Sequence, residues 1–187
     1  MGGLDKGLIG FAGRPLVQWV IDSLAPQVGS IMISANRNRD VYARYGLEVV
    51  SDPEPSYKGP LAGVLSAMRA ARTDWILTVP CDGPFLPGDL LTRLTKAMST
   101  GDAEMAVAAT GGRIQPVYSL QPVTLSSELA AFIAEGSYRA AQWIGRHRCA
   151  LADFSHQQQG FANVNSHEDL ERLARTLGLP VNAPSSD

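Results

Sequence analysis

Three apolar runs of strand length, SIMIS (30–34), LEVVS (47–51) and WILTV (75–79), are separated by stretches whose apolar residues recur with helical period. Strands that alternate with helices cannot be joined by tight hairpins. Each helix has to cross a sheet face, which makes the neighbouring strands parallel and buries them on both sides. The pattern therefore predicts an α/β chain in three layers, α/β/α, around a mostly parallel sheet. Leu16, Val17, Val20, Ile21 and Leu24 mark one crossing helix, with Pro15 suited to its first helical position. GPLAGVLSAMRAA (59–71) marks another, opened by Gly59 and Pro60.

The texture changes after Pro87. A helix is expected through Leu90, Leu91 and Leu94, and then EMAVAATGGRIQPVYSL (104–120) reads as two strands around a Gly111-Gly112 turn, a small antiparallel excursion. Helices over about 126–135 and 138–146 follow, then a short strand near CALADF (149–154). Ser166 and Asp169 form a capping pair ahead of Leu170, Leu173, Ala174 and Leu177, and PVNAPSSD (180–187) reads as a frayed tail. At 187 residues the whole chain, 1–187, is expected to be one domain.

In an open parallel sheet, ligands bind beyond the carboxyl ends of the strands. The first run leads into Ser34-Ala35-Asn36, the second into Asp52 and the third into Pro80-Cys81-Asp82, so polar groups converge on one edge. Asp52 before Pro53 and Asp82 before Gly83-Pro84 are also good turn residues, because Asx side chains bond their own backbone. Asp82 is the better metal anchor, since magnesium takes one or two carboxylates and completes its shell with phosphate oxygens and water. Lys6 stands in MGGLDKGL (1–8), where Gly2, Gly3 and Gly7 let backbone approach an anion; a lysine so near the first residue is otherwise an ordinary solvated charge. Arg113 is a reasonable phosphate contact on the excursion, and Asn36 equally suits a strand end.

Other chemistries find little support. A net charge of −2 and a pI near 5.9 argue against a nucleic-acid face, and no run approaches the length of a membrane helix. Cys81 and Cys149 are the only cysteines and form no Cys-x-x-Cys pair, which suits a reducing cytoplasm. His147, His156 and His167 lack metal-ligand spacing, and neither a Gly-x-Ser-x-Gly elbow nor a Walker Gly-Lys-Ser/Thr occurs.

MGGLDKGL (1–8), GRPLVQWVIDSL (13–24), ISANR (33–37), GPLAGVLSAM (59–68), PCDGPFLP (80–87) and FANVNSHEDL (161–170) together resemble the molybdenum cofactor guanylyltransferases, in order and over most of the chain. The resemblance implies a Rossmann-like nucleotidyltransferase fold, with roughly 1–100 holding nucleotide and 101–180 the acceptor. It also implies transfer of GMP from GTP to the phosphate of molybdopterin, with release of pyrophosphate. Matched position by position, Lys6 contacts the nucleotide phosphates, Asp82 holds Mg2+, and Ser34 and Asp52 contact the nucleotide. Ser34 replaces a frequent asparagine, and Asp52 could meet either guanine or ribose. Asn163 and Asn165 match an Asn-Val-Asn motif on the pterin side, and both also suit a turn before a helix. The family normally begins with a strand ending in Leu-Ala-Gly-Gly, and this chain begins at the methionine that follows it. The expectation is therefore a sheet lacking a central strand. Molybdenum cofactor insertion proteins are candidate partners. A relative using CTP or a sugar phosphate, and a non-catalytic pterin- or nucleotide-binding remnant, remain the alternatives.

Overall fold

In the computed structural model, residues 5–52, 59–99, 101–164 and 166–178 are described; the 180–187 tail and Asn165 lie outside them. A 3-10 turn at Lys6–Leu8 leads into a two-stranded antiparallel ribbon, β1 (Gly10–Phe11) and β2 (Arg14–Pro15), and then into α1 (Leu16–Leu24). Pro15 sits one position earlier than the sequence suggests. It is the extended residue at the helix boundary, held in β2, and Leu16 opens the helix. β3 (Met32–Ser34), α2 (Arg39–Ala43) and β4 (Glu48–Val50) follow, with β3 and β4 paired in parallel. The α2 helix was not legible as such in NRNRD. It is only five residues long, begins after a left-handed Asn38, and buries Tyr42 alone, too little to create a period.

The remainder comprises α3 (Pro60–Ala70), β5 (Trp75–Thr78), α4 (Leu90–Ser99), β6 (Met105–Thr110), β7 (Arg113–Pro122), α5 (Ser126–Ala134), α6 (Ala140–Ile144), β8 (Cys149–Asp153) and α7 (His167–Leu177). A second 3-10 segment, Ser155–Phe161, joins β8 to the stretch before α7. The strand order is β5-β7-β6-β8. Because β7 is antiparallel to both β5 and β6, whereas β6 and β8 are parallel, β7 alone runs against the other three. It is the antiparallel excursion, closed by Gly111 and Gly112 at positive φ. The β3–β4 pair and the β5-β7-β6-β8 sheet are separate ladders among the described residues, and α3 packs on β3, β4 and β5.

β6 shows why the architecture is layered. Met105 and Val107 belong to a cluster with Leu65, Leu129 and Trp143, while Ala106 and Ala108 belong to another with Leu90, Leu94 and Phe154. Alternate side chains of one strand thus enter two cores on opposite sheet faces, one under α3, α5 and α6 and the other under α4. The buried polar side chains of β7, Ser119 and Gln121, are paired with neighbours. Trp143 Nε1 donates to Gln121 Oε1 at 2.8 Å, and Gln121 Nε2 donates to Ser119 Oγ at 2.8 Å. α7 begins as the sequence indicates, with Ser166 accepting from the Asp169 amide and the Asp169 carboxylate accepting from the Ser166 amide. Its apolar face, through Leu170 and Ala174, packs with Val164, Leu16 and Phe11, tying the far end of the chain to the first ribbon.

Candidate active site

The Asp5–Ile9 loop lies between two strand ends. On one side, Asp5 accepts from the Tyr42 hydroxyl at 2.5 Å and from Asn38 Nδ2 at 3.1 Å, both in the segment after β3. Burial and the hydrogen bond to Asp5 hold the Tyr42 phenol well above its ordinary range, so it stays a neutral donor. On the other side, Lys6 Nζ lies 3.2 Å from Asp82 Oδ2, in the turn after β5. Gly7 is wedged between the Tyr42 hydroxyl and Cys81, and a β-carbon there would come within 2.5 Å of that hydroxyl. The glycine permits this close approach, and the loop thereby carries a cation to the carboxyl end of β5.

Asp82 is buried, with its side chain 12% exposed against 42% for Lys6. Its carbonyl accepts from the Val164 amide at 2.9 Å, which brings the segment before α7 alongside. Asn163 lies there, exposed, and its Oδ1 accepts from the Tyr118 hydroxyl of β7 at 3.3 Å. Lys6, Asp82 and Asn163 are thus assembled from three distant parts of the chain. Cys81 keeps exposed surface, yet packing around it and the charges of Asp82 and Asp5 push its thiol up to about 11. It is protonated at neutral pH and poorly suited to nucleophilic attack.

A second group forms at the carboxyl ends of β3 and β4. Asn36 Nδ2 donates to Asp52 Oδ2 at 2.6 Å, and the Asp52 amide donates to Asn36 Oδ1 at 2.9 Å. Asn36 thereby fixes the carboxylate, a role that ISANR did not reveal because the same residue suits a strand end. Ser34 lies against α3: a β-carbon on Gly63 would come within 2.6 Å of Ser34 Oγ and 4.0 Å of Asp52 Oδ1. Ser34 and Asp52 are therefore neighbours at the amino-terminal half of α3.

Arg113 is not brought to either group. It stands exposed at the start of β7, beside the hairpin whose Gly111 amide donates to Ser155 Oγ. Beyond Asn163 opens a cleft of about 810 Å3 whose lining includes Phe85, Gln157, Asn163 and Arg172, but not Arg113. His147 lies at the opposite edge, near the amino ends of β6 and β8. There it packs on Trp143 with Glu104 and Glu128 at 3.8 and 3.9 Å.

Residues 1–151 match the model of the MobA-like NTP transferase domain. The chain is 43% identical over 177 residues to a molybdenum cofactor guanylyltransferase of Shewanella loihica, covering 95% of this chain and 90% of that protein. A relative of the same description from Shewanella sp. strain MR-4 is 44% identical at the same coverage. Among solved structures, a molybdopterin-guanine dinucleotide biosynthesis protein A from Archaeoglobus fulgidus superposes with a TM-score of 0.77 at 19% identity, covering 94% of this chain and 92% of that one. A 2-C-methyl-D-erythritol 4-phosphate cytidylyltransferase from Thermus thermophilus superposes with a TM-score of 0.68 at 16% identity, covering 92% and 94%. At those identities, the two structures support the fold.

Proposed function

The chain belongs to the MobA-like NTP transferase family, and we propose that it transfers GMP from GTP to the phosphate of molybdopterin, forming molybdopterin guanine dinucleotide and pyrophosphate. The observation that carries this reading is the joining of Lys6 to Asp82 beside Asn163, with Ser34 and Asp52 together at the carboxyl ends of β3 and β4. A phosphate monoester is largely dianionic at neutral pH, its second pKa being about 6, so the acceptor needs no general base. What it needs is alignment with the α-phosphorus and relief of charge repulsion, which positioning and electrostatics supply.

Ser34 and Asp52 hold the nucleoside end. With one carboxylate oxygen fixed by Asn36, the other faces Gly63 and can accept from guanine or ribose donors. Lys6 offsets charge on the departing pyrophosphate. Asn163 stands on the acceptor side, beside the Asp82 turn, and Arg113, exposed on its hairpin, is a candidate acceptor contact by charge alone; Asn165 lies outside the described residues.

Among the described residues no three His, Cys, Asp or Glu side chains cluster as a metal site. A single buried carboxylate nevertheless fits magnesium, whose remaining ligands are water and substrate oxygens. Asp82 is the residue that would hold it. Bound there, magnesium would neutralise phosphate charge and help align the two anions.

No helix among the described residues is long and apolar enough to cross a membrane, and a cytoplasmic setting with molybdenum cofactor insertion proteins as recipients belongs to the same proposal. A ligand that binds only the folded state raises its stability, by about 2.7 kcal/mol at a hundredfold excess over Kd. Thermal melting with magnesium and GTP, CTP or ATP is therefore expected to show a rise with GTP that exceeds the other two. A larger shift with CTP would move the assignment to a cytidylyltransferase, and no shift with any nucleotide would favour a non-catalytic binding protein.

A further inference from the structure

We propose that Tyr118 is a positioning residue that sets the orientation of the Asn163 amide and its distance from the Asp82 turn. This rests on the reading of Asp82 and Asn163 as the metal-side and acceptor-side groups. Tyr118 is 1% exposed, and its ring is held edge-on by Phe161, with centroids 4.7 Å apart. Its hydroxyl is the one polar atom at the end of that fixed ring, and it meets two segments that come from opposite halves of the chain. It donates to Asn163 Oδ1 at 3.3 Å, and it stands over Gly83, where a β-carbon would come within 2.4 Å of it.

The consequence for Asn163 is directional. A side-chain amide has an acceptor end and a donor end. With Oδ1 turned to Tyr118, the two N–H groups are directed away from β7, the polarity that an anionic or carbonyl-bearing acceptor requires. Burial, reinforced by the nearby Asp82 charge, raises the Tyr118 phenol above its ordinary range, so the donor proton is retained. The backbone bond from the Val164 amide to the Asp82 carbonyl holds the same two segments together one residue further on. The hydroxyl adds what the backbone bond cannot, a fixed amide orientation.

The space around Gly83 supplies an independent test. Apart from the Tyr118 hydroxyl, the nearest atoms to a β-carbon there are Asn163 Oδ1 at 3.3 Å and Pro80 Cγ at 3.5 Å. Gly83→Ala should therefore be damaging because of one oxygen atom. In the full chain, Gly83→Ala is expected to lower the melting temperature by several degrees, and Gly83→Ala combined with Tyr118→Phe to recover most of that loss. In steady-state assays, Tyr118→Phe alone is expected to raise KM for molybdopterin about tenfold while leaving KM for GTP within twofold. The effect of Asn163→Ala on molybdopterin KM should largely vanish in the Tyr118→Phe background. Equal damage from Gly83→Ala with either residue at 118 would overturn the geometry. KM values for both substrates that move together, or neither moving, would overturn the positioning role. Because melting needs no turnover, loss of the guanylyltransferase reading would leave the Gly83 compensation standing, so the two failures are separable.

Discussion

Replacing Asp82 with asparagine is expected to lower kcat/KM for GTP about a thousandfold while leaving the fold intact. Asparagine preserves the shape of the side chain, and the carbonyl that accepts from Val164 is unchanged, so the turn after β5 should hold. What is lost is one buried negative charge, the group that would hold magnesium and that lies 3.2 Å from Lys6. Charge stabilisation of this kind is worth several kcal/mol, and about 4 kcal/mol corresponds to a thousandfold in rate. The measurement is turnover across a magnesium titration, with melting temperature as the control. If the variant turns over like the wild type at physiological magnesium, Asp82 is a turn residue only.

Lys6→Ala should cost about a hundredfold in kcat with little change in stability. A half-exposed ion pair such as Lys6 with Asp82 contributes at most about 1 kcal/mol to folding, because solvent screens it and the long side chain loses entropy. Against a developing pyrophosphate charge in a site from which water is displaced, the same ammonium is worth more. The two roles therefore predict different ratios of activity loss to stability loss. Comparing kcat with the urea midpoint separates them, and unchanged activity at an unchanged midpoint would return Lys6 to the status of a surface charge.

Much of this was legible before the structure because it followed from period and position. The strands at 32–34, 48–50 and 75–78 lie within the three apolar runs. The rule that ligands gather at carboxyl ends placed Ser34, Asp52 and Asp82 together in principle, and the structure seats Ser34 by Asp52 and Lys6 by Asp82. What was not legible depends on contacts between distant segments. Asp5 attaches the first loop to α2 through Tyr42, but a lone aspartate beside a lysine carries no such information. Tyr118 reads as one more apolar position of a strand until Gly83 and Asn163 are seen around its hydroxyl. Arg113 stands exposed on the hairpin beyond the Gly111-Gly112 turn, and its proposed phosphate contact rests on charge alone.

Pyrophosphate release is the most direct test of the central claim. The chain is incubated with magnesium, molybdopterin and either GTP or CTP, and pyrophosphate is quantified alongside the dinucleotide product. The account predicts release that requires molybdopterin, strongly favours GTP, and matches molybdopterin guanine dinucleotide one for one. Release with CTP in preference to GTP, or none with either nucleotide, would contradict it.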